Sequence, residues 1–202
     1  MYARVAVFEG RDMTGADDLI AKVRGQSDSI PGLQGFLMLI DRDQGTALGI
    51  TLFPTEQAID EAEPAFDQMA AAIPEDQRGR RVSVGTYEVL MLEGGTGAKA
   101  ARLSTLEGPP EQIDAGTRRA IEDVFPRVRE LDGFAGAISL GDRTTGTTKL
   151  VTLWTSADAL AASTEAANAL RQEAAESAEG TIAAVEQFEV AIAELQAAVT
   201  AR

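Results

Sequence analysis

Read for its alternation of apolar and polar positions, the chain states one pattern twice. Tyr2–Glu9 is rich in β-formers and predicts a strand. Ile20, Val23 and Ile30 recur at roughly helical spacing behind Thr14 and Asp17, set as a capping box, and Pro31-Gly32 predicts the stop. Two apolar runs, 36–40 and 46–53, flank the polar turn Asp41-Arg42-Asp43-Gln44-Gly45, the signature of an antiparallel hairpin. Thr55 is placed to cap a second helix with Ile59, Ala62, Phe66, Met69 and Ile73 on one face, bent at Pro64 and closed by Pro74. Residues 82–92 predict a closing strand.

The same order then returns. Ala100–Glu107 predicts a strand, and Pro109-Pro110 opens a helix whose stripe is Ile113, Thr117, Ala120, Ile121, Val124, Val128 and Leu131. Residues 134–140 and 147–154 predict a hairpin, Ser156 caps an alanine-rich helix to about Ser177, and 181–191 closes the sheet. Residues 194–202 are expected to be a helical or frayed tail. Individual residues match as well. Leu33-Gln34-Gly35-Phe36 returns as Leu131-Asp132-Gly133-Phe134, Asp41-Arg42 as Asp142-Arg143, and Tyr87-Glu88-Val89 as Phe188-Glu189-Val190. The offset is 98 residues up to the Gly-Phe pair and 101 after Asp41, so one three-residue insertion near 135–141 reconciles the two halves.

A register held over about ninety residues means two copies of one folding unit. Strand-helix-strand-strand-helix-strand in each is the ferredoxin-like βαββαβ order, an α+β arrangement with both helices on one face of an antiparallel sheet. The expected organisation is a first unit at 1–93, a glycine-rich linker at 94–98 and a second unit with its tail at 99–202. Leu48, Ile50 and Leu52 alternate with Ala47, Gly49, Thr51 and Phe53, so both faces of that strand are apolar. A sheet wet on one side would alternate more cleanly. The two units are therefore expected to pack as an intramolecular pseudo-dimeric α+β barrel, with Lys149, which replaces Leu48, near its mouth.

Charge and composition narrow the function. A net charge of −14 disfavours nucleic acid and acidic membrane surfaces, which need clustered Lys and Arg. The chain contains no Cys and no His. That removes disulfides, thiolate nucleophiles, His-held haem or zinc and Ser-His-Asp catalysis. Asp and Glu show no metal-ligand spacing, and no metal or cofactor is expected. Gly94-Gly95-Thr96-Gly97 lacks the Lys of a phosphate loop. With no signal-like segment and no long apolar run, a cytoplasmic protein is expected.

The ligand-pocket candidates are Phe53, Tyr87, Thr152, Trp154, Asn168 and Phe188. Phe53 and Trp154 occupy matched positions and share a face with Thr51 and Thr152; they form either an aromatic cleft wall or plugs of the sheet-to-helix core. Tyr87 and Phe188 also match, and a Tyr hydroxyl in a cleft orients or protonates an oxygen. The Asn168 amide either binds a carbonyl or faces solvent. Arg4 with Arg102, and Glu88 with Glu189, recur in both halves as surface groups, inter-unit ion pairs or cleft-entrance charges. Small residues on the last helix (Ala161, Ala162, Ala166, Ala167 and Ala169) point to helix packing and to further homo-oligomerisation.

The repeat, the strand pattern and Leu153-Trp154-Thr155-Ser156-Ala157-Asp158-Ala159-Leu160 together resemble the dimeric α+β barrel superfamily, closest to the antibiotic-biosynthesis-monooxygenase-like domains. Phe53-Pro54-Thr55-Glu56-Gln57-Ala58-Ile59 is the weaker copy. The resemblance implies a pseudo-dimer in one chain, a cleft between sheet and helices in each half, and cofactor-independent oxygenation of a small aromatic or polyketide-like molecule. Haem-degrading members use a strand-one Asn, a Trp and a helix His; here only Trp154 survives, and haem degradation is not expected. On that likeness the second half, with Trp154 and Asn168, is the better catalytic candidate. A non-catalytic binding module and a structural or oligomerising pseudo-dimer are the alternatives, since one fold hosts many functions.

Overall fold

A computed structural model describes residues 1–10, 13–74, 79–195 and 199–200. Packing divides the chain into Met1–Tyr87 with Val190–Gln196, and Glu88–Glu189 with Ala197–Arg202. The last long strand of each repeat is thus shared: its first half belongs to its own unit and its last to the other.

In the first unit the elements are β1 (Tyr2–Glu9), α1 (Ala16–Ser27), β2 (Gly35–Asp41), β3 (Thr46–Phe53), α2 (Glu56–Ala71) and the 80–87 part of β4 (Arg80–Gly94). β3 lies between β1 and β2, antiparallel to both, pairing Arg4 with Thr51 and Met38 with Gly49. The hairpin turn forms as expected, with the Asp41 carboxylate accepting from the backbone N–H of Asp43 and Gln44, both at 3.0 Å. Thr55 caps α2 by accepting from the Ala58 N–H at 3.2 Å, and the helix runs on through Pro64. α1 starts differently. Its N-cap is Gly15 at φ 77° with no side-chain cap, so a left-handed glycine turn replaces the expected box of Thr14 and Asp17.

The second unit holds β5 (Ala100–Glu107), α3 (Ile113–Arg119), α4 (Phe125–Arg129), β6 (Phe134–Asp142), β7 (Thr147–Trp154), α5 (Ala157–Ala162), α6 (Thr164–Ser177) and the 181–189 part of β8 (Thr181–Leu195). Between α3 and α4 a π-helical turn, Ala120–Val124, inserts. Pro126 has no N–H to continue the ordinary ladder, and the wider turn lets the Phe125 N–H reach the Ala120 carbonyl. The extra residue brings both Val124 and Phe125 into the core, where the periodic stripe anticipated only Val124.

The expected single helix after Ser156 breaks at Ser163. The Arg102 guanidinium donates to the Leu160 carbonyl at 2.8 Å, and the Ser163 hydroxyl donates to the same oxygen at 2.7 Å. The three-residue insertion expected near 135–141 lies earlier. The offset is 98 through β1 and β5 but already 101 at Gly32 and Gly133, both at positive φ, and at Gly35 and Gly136, which pair with Leu52 and Leu153. At the start of β6 the register on β7 shifts by one residue, between Phe134 and Gly136. Gly94 and Gly136 meet there backbone to backbone, with no room for a Cβ on either. Lys149 pairs with Thr105 across β7 and β5 and donates to its hydroxyl at 3.4 Å.

The expected tail is strand instead where it is described. β8 runs on to Leu195, and β9 (Val199–Thr200) pairs with Leu92 and Met91; the rest of 194–202 lies outside the described residues. Backbone groups at a strand edge are satisfied by added strand pairing, which an alanine-rich sequence does not announce. The strand order is β1-β3-β2-β8-β5-β7-β6-β4-β9, with β1 also pairing with β4. The fold class is α+β: two ferredoxin-like units of the dimeric α+β barrel type in one chain. Leu37, Leu39, Ile50 and Leu52, on the face of the first sheet away from its helices, are all buried, as the two-sided apolar pattern required. Among the described residues, no helix is long and apolar enough to cross a membrane.

Candidate functional site

Each unit carries a cleft between sheet and helices, and the two clefts differ. In the first unit the cavity measures about 400 Å³, within the range of small-molecule sites. Its floor is set by strand alternation: Arg4, Ala6 and Phe8 project from β1 toward the helices, opposite Thr51, Gly49 and Ala47 of β3. Phe36 and Met38 of β2 extend that floor, and Val23 of α1 with Phe66, Met69 and Ala70 of α2 form the roof. Room exists because Ala6, Gly49 and Ala70 are small. Exposed Asp67 and Arg81 mark the mouth.

Arg4 is the cleft's buried charge, only 4% exposed. Its Nε donates to Glu63 Oε1 at 2.6 Å and its Nη2 to Oε2 at 3.3 Å, a two-pronged pair. The guanidinium carbon lies 4.2 Å from the Phe66 ring centroid, a cation–π contact. Thr51 fixes the strand by donating its hydroxyl to the Arg4 carbonyl at 3.4 Å. An apolar slot with one oriented cation and aromatic walls suits a flat molecule with an oxygen at one edge.

In the second unit the remaining void is about 80 Å³. Arg102, the match of Arg4, is 2% exposed and donates to the Ser163 and Thr164 hydroxyls as well as to the Leu160 carbonyl. Arg171 enters from α6, its Nε donating to Ser104 Oγ and its Nη1 to Asn168 Oδ1, both at 2.8 Å. Burial, and then the neighbouring Arg171, lower the Arg102 pKa from its ordinary value; burial lowers that of Arg171. The surface placement expected for Arg4 and Arg102 is corrected. Both point inward beneath their own helices, where each meets acceptors that a strand sequence cannot display.

The structure brings Thr152 and Trp154 together, but none of the six sequence-nominated residues lines the cleft of the first unit. Trp154 is fully buried, edge-on to Phe134 at 5.9 Å, with its indole N–H donating to Thr152 Oγ1 at 3.1 Å. Phe53 is equally buried, edge-on to Phe66 at 6.2 Å. Both act as core plugs. Phe188 is buried opposite Ala101, Tyr87 is half-buried beside Gly85, and Asn168 is exposed while holding Arg171. The residues that sequence reasoning missed are Phe36, Phe66, Met38 and Ala70. The available signal was the mismatch between repeats: Ala6, Gly49 and Ala70 against Ser104, Leu150 and Arg171.

No family model matches the chain. It is 27% identical over 210 residues to uncharacterized protein Rv2557 of Mycobacterium tuberculosis strain H37Rv, covering 97% of this chain and 90% of that one. Among solved structures, a proposed monooxygenase of Fusobacterium nucleatum superposes with a TM-score of 0.69 at 14% identity, over 100% of this chain and 98% of that one. An anthrone oxidase-like protein follows at 0.64 and 13%, over 94% and 90%. A ferredoxin fold protein of Listeria monocytogenes, related to antibiotic biosynthesis monooxygenases, gives 0.53 and 10%, over 93% and 94%. These likenesses show the fold, an α+β barrel built of ferredoxin-like units.

Proposed function

We propose that the chain is a cofactor-independent monooxygenase, or a closely related enzyme, acting on a small aromatic or polyketide-like molecule, and that the first unit carries its site. The observation that carries this reading is the cleft of about 400 Å³ with aromatic walls and one buried arginine. A substrate with an acidic C–H beside a carbonyl or phenol needs little from the protein beyond orientation, water exclusion and stabilisation of the enolate. Phe36 and Phe66 supply flat walls, and Arg4 supplies positive charge at the edge where an enolate oxygen would lie. Asp67 is the carboxylate at the mouth and the candidate proton acceptor. In the overall reaction a CH₂ loses two hydrogens, takes one oxygen atom of O₂ as a carbonyl and releases the other as water. The substrate supplies the electrons.

A second reading, a non-catalytic binding module, has its own support. The chain has no His or Cys, and Glu63, the other nearby carboxylate, is held by Arg4. Oxygen uptake with anthrone separates the two. The expected result is uptake above the buffer rate, lost in Ala70→Trp, which fills the cleft, at unchanged circular dichroism. Anthrone oxidation at the buffer rate, with saturable naphthol binding retained, would favour the binding module. Neither uptake nor binding would leave a structural role.

A further inference from the structure

We infer that Arg171 is an internal plug: in the second unit it occupies the space that stays open as the ligand cleft of the first, leaving one binding site per chain rather than two. This rests on the first cleft being a binding site. The two floors correspond in register, with Ala6 opposite Gly49 in one unit and Ser104 opposite Leu150 in the other. On the helix above, Ala70 corresponds to Arg171. All three small residues that open the first cleft are therefore replaced by larger ones.

The hydrogen bonds seat the plug. Arg171 Nε is fixed by Ser104 on the floor, where the first unit has Ala6 and no acceptor. Its Nη1 is fixed by Asn168, at the position of the cleft-mouth residue Asp67. What remains is the outer end of the same cleft: the 80 Å³ void touches Leu106, Ser139, Thr148, Leu150 and Ala174, the counterparts of Phe8, Met38, Ala47, Gly49 and Ile73. The inner end is gone. Arg171 is also a buried cation whose hydrogen bonds go to two neutral side chains, close enough to Arg102 to disfavour its charge. Such a residue is costly as a stabiliser, and its replacement relieves a like-charge repulsion.

The test is stoichiometry with the full chain, using naphthol in equilibrium dialysis and thermal melts to establish folding. The wild type is expected to bind one naphthol, and Arg171→Ala two. One site in both would overturn the plug. None in the wild type and one in Arg171→Ala would leave the plug standing and refute the first cleft as a binding site; none in either would overturn both. The reciprocal variant, Ala6→Ser with Ala70→Arg, transplants the plug and keeps the question open to refutation even if Arg171→Ala fails to fold. It is expected to lose the wild-type site, and a folded double variant that still binds one naphthol would refute the inference.

Discussion

The Arg4–Glu63 pair sets the charge of the cleft wall, and Glu63→Gln tests whether it is an energetic unit. Arg4 is sealed, with 5% of its side chain exposed, while the Glu63 side chain is 39% exposed. A fully buried pair loses about 3–5 kcal/mol when one partner is removed, and an exposed pair about 0–1 kcal/mol. Here the cation is buried and the anion half-wet, so solvent screening discounts the upper figure. Gln retains one acceptor for Arg4 but sets an amide donor against the second guanidinium N–H. The expected loss is about 2 kcal/mol, close to one hydrogen bond to a charged group. For a chain of this size that lowers Tm by roughly 4–8 °C. Urea denaturation of wild type, Glu63→Gln, Arg4→Met and the double variant closes the cycle. The double variant should be little worse than the worse single one, because each single change already breaks the pair. Asp17→Asn, which breaks the exposed Arg42–Asp17 pair at 2.8 Å, is the control and should change stability by less than about 0.5 kcal/mol. A Glu63→Gln loss as small as the control's, or an additive cycle, would refute the reasoning.

Two further outcomes follow from the second unit. Trp154→Ala should cost about 3–5 kcal/mol in urea denaturation, because it removes a fully buried ring together with its Phe134 and Thr152 contacts. The folded fraction should still bind naphthol; a stable variant that has lost binding would place the site in the wrong unit. The Asp142 carboxylate is held below the ordinary aspartate range, chiefly by the Thr145 hydroxyl and also by the Thr144 and Thr145 backbone N–H groups. Its stabilisation is fully present above the unfolded pKa of about 3.9 and is lost as pH falls through the lower folded value. The stability gap between wild type and Asp142→Asn should therefore narrow below about pH 4; a gap that stays constant to pH 2 would contradict this.

What the sequence made legible was local. Tyr2–Glu9 and Ala100–Glu107 form as strands because β-formers and flanking breakers agree, and Thr55 and Ser156 cap because cap chemistry is decided within three residues. The repeat carried the fold class, since a shared register constrains both halves at once. Illegible features needed a partner distant in sequence. The break at Ser163 depends on Arg102, the burial of Arg4 depends on Glu63 fifty-nine residues away, and β9 depends on Met91 and Leu92. The cleft of the first unit was not legible for a related reason. Large aromatics such as Trp154 draw the eye, but a cleft is made by what is small, and Ala6, Gly49 and Ala70 matter only when set beside Ser104, Leu150 and Arg171.

The central claim, that the first unit's cleft receives a small aromatic molecule, is tested most directly by the methionine methyl resonances during a naphthol titration. Met38 and Met69 line the cleft, while Met91 is buried in the other unit. Ring currents should move the Met38 and Met69 methyl signals along one saturable curve and leave Met91 in place. Movement of Met91 alone, or of none of the three at saturating naphthol, would contradict the account.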